Sequence, residues 1–460
     1  MEEILQTFRD YYKKPAVRAR ILEFLGGDTP ESATCEYITA DGVSWPARTP
    51  QRPEQLFGQL DEGLDICRSL WDRESLIAHL DIEYVNFDFA AEAYLDPERT
   101  FELQEPVERA IHRILSFYGI HALHVLSGRG HHFAWRIDRG SPVFSRLAEM
   151  GSRACAETGP QAPPGDGKLA KGFAGLGLAM EFVGRLAIEL AAPESTIPVD
   201  LTAVEVGPSG RGREMVSIDI SEYGDPLHTR TVRVPFSAYL KPWQQMHAVG
   251  ANNIPRIGPI IFIPLDGVDI RQGMVAMRDP RQAALLAERI SARIPDGTDG
   301  TGALLSHYRG SALRRFHDFF YSAQHDPPRL WPGTYDRTPL GDLPEAAREA
   351  LVFPNDLLLR PTGMRAVVEA LLDRGWHPRH IAGLIRSKFE RDHGWGAQWR
   401  EYSPAMRADF YARIFSARRA SVCREAGEVR AAEAGLFPRG VRPAAAPQEP
   451  IPGGTEVLRL

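Results

Sequence analysis

Two carboxylates, Asp81 and Glu83, stand two residues apart in the apolar run Leu76-Ile77-Ala78-His79-Leu80-Asp81-Ile82-Glu83-Tyr84. Read as a strand, this run turns both acids to one face. Two carboxylates so placed repel each other unless a cation lies between them or one takes up a proton. Hard oxygen ligands of this kind suit Mg²⁺ or Mn²⁺. Further along, Ser127-Gly128-Arg129-Gly130-His131-His132 reads as a glycine-rich turn between two strands, with cationic and imidazole groups at the turn. Such a turn suits a bound phosphate. A third carboxylate, Asp200, sits in the short apolar strand Ile197–Thr202, and Arg233, Ser237 and Lys241 follow downstream. Three acids, a histidine-bearing turn and a late Arg/Ser/Lys cluster describe a metal-dependent nucleotidyl-transfer site.

The elements that must position these residues follow in order. A strand over 76–84 precedes a helix running from Pro106, suited to a first helical turn, to Gly119, suited to the position after a helix end. Val107, Ala110, Ile111, Ile114 and Leu115 give that helix an apolar face. Strands over 121–126 and 131–137 flank the turn, and helices over 141–158 and 168–190 are separated by a Gly/Pro-rich loop. The strand with Asp200 closes a β-α-β-β-α-β series, an α+β palm of the ferredoxin or RRM type. In such a palm the strands carrying Asp81 and Asp200 lie close together. Asp88 is an alternative acid, but its odd offset from Asp81 puts it on the other face. His121 and His124 read as packing or surface residues.

The order D-x-E, S-G-x-G-x-H, apolar-D and R-x-P-x-S-x-x-x-K resembles the archaeo-eukaryotic primase superfamily, over roughly residues 70–245. That superfamily includes primase small subunits, primase-polymerases of mobile elements and the polymerase domain of bacterial end-joining ligases. Glu83 departs from it, standing where many members carry a second Asp. The resemblance implies that Asp81, Glu83 and Asp200 hold two Mg²⁺ or Mn²⁺ ions about 4 Å apart. It also implies that Ser127, Gly128, Arg129, Gly130 and His132 bind the triphosphate, with Arg233, Ser237 and Lys241 adding phosphate and nucleotide contacts. The S-G-x-G-x-H spacing selects His132 over His131, and adjacent strand residues face opposite ways, so only one of the two can enter the site. The expected partners are nucleoside triphosphates and a single-stranded DNA template. No G-x-x-x-x-G-K-[ST] occurs, so a helicase, like other replication or repair proteins, would be a separate partner.

The bulk properties bound this reading. The chain has 460 residues, 43% hydrophobic and 25% charged, with a net charge of −6. It is too long for one ordinary core, and any nucleic-acid contact must come from local basic patches. We divide it into an N-terminal α/β flank (1–70), a catalytic domain (71–265), a helical C-terminal region (266–435) and a disordered tail (436–460). Four scattered cysteines form no C-x-x-C and read as free thiols. Met1-Glu2-Glu3 opens no signal peptide, and Ile257–Leu265 is too short to span a bilayer, so a cytoplasmic protein with no membrane contact is expected. Arg211 and Arg213 in a glycine-rich loop, and Arg379, Arg386 and Lys388 before Trp395 and Trp399, are candidate contacts to single-stranded DNA. A helical bundle with its arginines on the surface accounts equally for the second group. Two rival functions stay open: a repair polymerase that only extends primers, and a catalytically idle nucleic-acid-binding protein on the same fold.

Overall fold

The computed structural model describes residues 2–41, 49–155, 167–202, 212–242, 258–353, 361–389, 403–419 and 423–433. The strands are β1 (Ile38–Asp41), β2 (Asp65–Ser69), β3 (Ser75–Asn86), β4 (Leu123–Leu126), β5 (Gly130–Asp138), β6 (Val199–Leu201), β7 (Glu214–Asp219), β8 (Thr231–Arg233), β9 (Ala238–Tyr239), β10 (Ile260–Ile261) and β11 (Ile263–Pro264). The helices before residue 200 are α1 (Glu2–Tyr12), α2 (Pro15–Phe24), α3 (Leu56–Asp61), α4 (Glu92–Leu95), α5 (Pro97–Tyr118), α6 (Pro142–Cys155) and α7 (Gly167–Ala191). The protein is therefore α+β, with helices dominating beyond β11.

A six-stranded sheet in the order β11-β4-β5-β3-β7-β6 carries the central acids. Its inner four strands, β4-β5-β3-β7, are antiparallel throughout. Their connections run β3-α5-β4-β5-α6-α7-β7, a β-α-β-β-α-β arrangement. The strand that closes this arrangement is β7. The three-residue β6, which holds Asp200, pairs parallel to β7 at the outer edge. The sequence reading gave that closing place to the Asp200 strand.

The cause of β3's central place is visible along it. Ser75 to Leu80 are buried whichever face they point to, after which Asp81, Glu83 and Val85 are half-buried while Ile82, Tyr84 and Asn86 stay buried. One face of its second half is therefore packed and the other open. Helix α5 begins nine residues before Pro106: Asp96 caps it by accepting from the Arg99 N–H, Pro97 fills its first position, and Pro106 lies inside it. It ends as expected at Gly119, whose φ of 68° is left-handed. Arg99 bridges Glu92 and Glu214 behind the sheet, which ties α5 to β7. Helices α6 and α7 meet backbone to backbone. A Cβ on Gly151 would lie 1.9 Å from the Lys171 carbonyl oxygen, and one on Gly175 would lie 2.0 Å from that of Leu147.

The flank packs onto the end of the β8–β9 segment. The Tyr11 hydroxyl donates to the Phe236 carbonyl and the Tyr12 hydroxyl accepts from the Ala238 N–H. β2 joins β1 and β8 in a second sheet. Beyond β11 the helices Thr298–Arg309, Ala312–Phe320, Pro361–Leu372, Pro378–Phe389 and Pro404–Ser416 form a bundle that is joined to α7 and the sheet by buried charge. Glu181 on α7, fully buried, is held by Arg185, Arg413 and His317 at 2.9, 2.9 and 3.2 Å. Burial pushes its pKa up, but these three partners outweigh it and hold the carboxyl well below its usual range. Asp225 is bridged in the same way by Arg230 and Arg407. The segment 436–460 lies outside the described residues. Among the described residues no helix is long and apolar enough to cross a membrane.

Candidate active site

The open face of β3 carries the site. Across β5, Asp81 stands opposite His132 and Glu83 opposite Gly130. Across β7, Asp81 stands opposite Asp219 and Glu83 opposite Ser217. Residues directly opposite one another in a sheet project to the same face with Cα atoms about 5 Å apart. Asp219, Asp81 and His132 therefore form one row across three strands, with Glu83 one step along. Asp219 is the third acid of this face. Asp200 is opposite Ser217 on β6, two strand spacings or about 10 Å from β3, and its carboxylate is ion-paired with Arg418. Asp88 accepts from the Arg213 backbone and guanidinium, both at 2.8 Å, away from the acid row.

Charge on this face is only partly matched. Asp81 Oδ1 is sealed from solvent and has no hydrogen-bond partner. Burial, then the charges of Glu83, Asp219 and Glu222, push the Asp81 pKa well above the carboxylate range, against the pull of Arg129. Glu83 is gripped by Arg129, whose Nη2 lies 2.6 Å from both carboxylate oxygens. That carboxylate in turn raises the Arg129 pKa and fixes its charge.

A chain of four groups runs across the same face. His79 Nδ1 lies 3.1 Å from Glu222 Oε2, His79 Nε2 lies 3.0 Å from His132 Nδ1, and His132 Nε2 lies 3.3 Å from Asp81 Oδ1. Burial, followed by the charges of His79 and Arg233, pushes the His132 pKa well down.

The turn at 127–130 is closed on itself. The Ser127 N–H donates to the Gly130 carbonyl at 2.8 Å, and the Gly130 N–H donates to Ser127 Oγ at 3.1 Å. A Cβ on Gly130 would lie 1.8 Å from the Ile82 carbonyl oxygen, and one on Gly128 would lie 2.9 Å from the Tyr94 ring, so both positions need glycine. Beside His132 stands an aromatic wall. Phe262 meets its ring edge-on at 5.2 Å, Tyr239 meets Phe262 at 5.5 Å, and Arg233 lies over Tyr239 at 4.3 Å. Arg233 also pairs with the buried Asp65. Ser237 is buried and its hydroxyl accepts from the Ile66 N–H at 2.6 Å, which commits it to the fold. Lys241 is exposed beyond β9.

The basic residues assigned to DNA divide differently. Arg379 is buried, paired with Asp409 at 3.0 Å and set over Tyr321 at 4.9 Å. Arg386 contacts His325 Nδ1 at 2.9 Å, and Lys388 lies 3.7 Å from Asp336. These three serve the helical bundle, and Arg379 offers nothing to a ligand at the surface. Arg213 faces Asp88, and Arg211 lies outside the described residues, as do Trp395 and Trp399.

Asp81, Glu83, Asp219, Arg129, His132 and the 127–130 turn thus share one face of the sheet, joined by His79, Glu222 and Tyr239, which the sequence reading passed over. No protein-family model, curated protein or solved structure matches this chain. The geometry alone therefore carries the functional argument. Asp81, Glu83 and Asp219 are three oxygen donors on one face, one with a buried unpartnered atom, and this donor set fits hard dications such as Mg²⁺ or Mn²⁺.

Proposed function

We propose that the chain is a template-dependent nucleotidyltransferase, a primase-polymerase built on a palm of the archaeo-eukaryotic primase type. The observation that carries this reading is the Asp81–Asp219 pair on adjacent antiparallel strands, with Glu83 two residues along the same face. The strand order β4-β5-β3-β7 is that of a ferredoxin-like palm, which supports it. Asp81, Glu83 and Asp219 would hold two Mg²⁺ or Mn²⁺ ions. Such ions activate a 3′-hydroxyl and stabilise the leaving pyrophosphate.

The chain's own residues do the rest. Arg129 balances Glu83 before substrate arrives and is within reach of a triphosphate once Glu83 is otherwise neutralised. Glu222 and His79 fix the ring of His132 beside the acid row, where it can meet a phosphate oxygen. Arg233, set over Tyr239, adds positive charge on the same side, and Lys241 follows two residues beyond Tyr239. Tyr239 and Phe262 close the His132 side of the face against water.

One observation favours the extension-only polymerase as a second reading. Arg379, Arg386 and Lys388, the basic groups expected to hold template during initiation, are engaged within the bundle.

His132→Ala is expected to raise the apparent KM for nucleotide at least tenfold. Glu222→Gln should move KM the same way by less, because it loosens the hold on His79 and His132 without removing the ring. Steady-state incorporation kinetics on folded variants reads both. An unchanged KM for His132→Ala would remove the phosphate role from this face.

A further inference from the structure

The opposite face of the same sheet holds a second cluster of titratable groups that the nucleotidyl-transfer reading does not use. Adjacent residues on β5 point to opposite faces. His132 meets Asp81 on the open side, and His131 meets His124 on the helix-covered side. There, Glu108 and His112 are one turn apart on α5 and so share a side of that helix, and His124 faces them from β4. His112 Nε2 lies 3.0 Å from Glu108 Oε1 and 3.2 Å from His124 Nδ1, and the three ligand atoms all lie within 4.8 Å of one another. Both rings are oriented by Phe133: His124 stacks on it at 4.3 Å and His112 meets it edge-on at 5.2 Å.

Hydrogen bonding around this cluster suits coordination. His131 Nδ1 lies 2.9 Å from His124 Nε2, so a neighbouring ring backs the His124 nitrogen that does not face Glu108 and His112. A neutral imidazole backed by a hydrogen-bond partner is the form in which histidine binds metal.

We propose that Glu108, His112 and His124 form a binding site for a borderline transition dication of the Zn²⁺ class, separate from the acid face. Two imidazole nitrogens and one carboxylate oxygen are ligands that Zn²⁺ takes at about 2.0–2.2 Å. Tetrahedral bonds of that length place ligand atoms about 3.3 Å apart, close to the 3.0 and 3.2 Å found here. The mixed nitrogen–oxygen set prefers Zn²⁺, Co²⁺ or Ni²⁺ over Mg²⁺. The His112 side chain is 49% exposed, which gives an ion a route in and leaves a fourth position for water. An ion here ties α5 to β4 three residues before Ser127, where the turn begins.

The test is a Zn²⁺ titration of the chelator-stripped full chain with Mg²⁺ in excess, read by calorimetry, together with the visible absorption of bound Co²⁺. One equivalent is expected to bind despite the Mg²⁺. His112→Gln and Glu108→Gln, both on solvent-reaching side chains, should each weaken binding at least tenfold in protein whose circular dichroism is unchanged. Asp81→Asn should leave it intact. Absence of binding to the wild-type chain, equal binding by folded His112→Gln and Glu108→Gln proteins, or loss of binding in Asp81→Asn would each overturn the proposal. The last of these would place the ion on the acid face.

Discussion

Asp219→Asn is expected to reduce nucleotide incorporation about a thousandfold, equivalent to roughly 4 kcal/mol of lost transition-state stabilisation. Asp200→Asn should leave incorporation within a few-fold of the wild type. The contrast follows from register. Asp219 stands directly across from Asp81, whereas Asp200 is one strand further out and already neutralised by Arg418. Both variants keep side-chain volume, and Asp219 and Asp200 are half-buried, so both proteins should fold. Single-turnover incorporation on a primed template measures the effect. If Asp200→Asn is the inactive protein and Asp219→Asn the active one, the acid row described here is not the one that reacts.

Asp81→Asn should separate the cost of the acid cluster from its use. Without divalent ions, Asp81 is forced against Glu83, Asp219 and Glu222 with one oxygen sealed and unpartnered. Removing its charge is expected to stabilise the metal-free protein at neutral pH. The same change should abolish activity and most of the stabilisation that Mg²⁺ or Mn²⁺ gives the wild type. Urea denaturation of both proteins, in chelator and in millimolar Mn²⁺, tests this. The order of stability should reverse between the two conditions. A wild type more stable than Asp81→Asn in chelator would mean that the carboxylate is already satisfied by the protein.

Much of the site was legible because β3 announces itself. Its apolar run and the i, i+2 acids fix both the strand and the face, and the glycine turn with its paired histidines fixes the next hairpin. Parity lets only one of His131 and His132 onto the face and the S-G-x-G-x-H spacing selects His132; the two rings do lie on opposite faces. The structure sets Asp219, and not Asp200, across from Asp81, and local sequence hides this for a physical reason. Val199-Asp200-Leu201 and Val216-Ser217-Ile218-Asp219-Ile220 both present an aspartate between apolar neighbours, and local sequence does not say which strand pairs with β3. Strand length held the missing clue: β7 has six residues and β6 three, and the strand beside the long β3 needs the longer pairing. His79, two residues before Asp81, was open to the same parity argument but was taken as part of the apolar run. Arg379 shows the opposite limit. Its burial depends on Asp409 and Tyr321 in other helices, a tertiary match that charge patterning along one helix does not reveal.

The central claim is that the Asp81–Glu83–Asp219 face performs nucleotidyl transfer on a template. The most direct measurement incubates the full chain with labelled nucleotides and Mg²⁺ or Mn²⁺, on single-stranded DNA with and without an annealed primer, beside Asp81→Asn as control. The account predicts metal-dependent incorporation by the wild type and none by the variant. Short products on the unprimed strand would mark a primase-polymerase, and elongation of the annealed primer alone would mark an extension-only polymerase. No incorporation on either substrate by well-folded wild-type protein, or equal incorporation by Asp81→Asn, would contradict it.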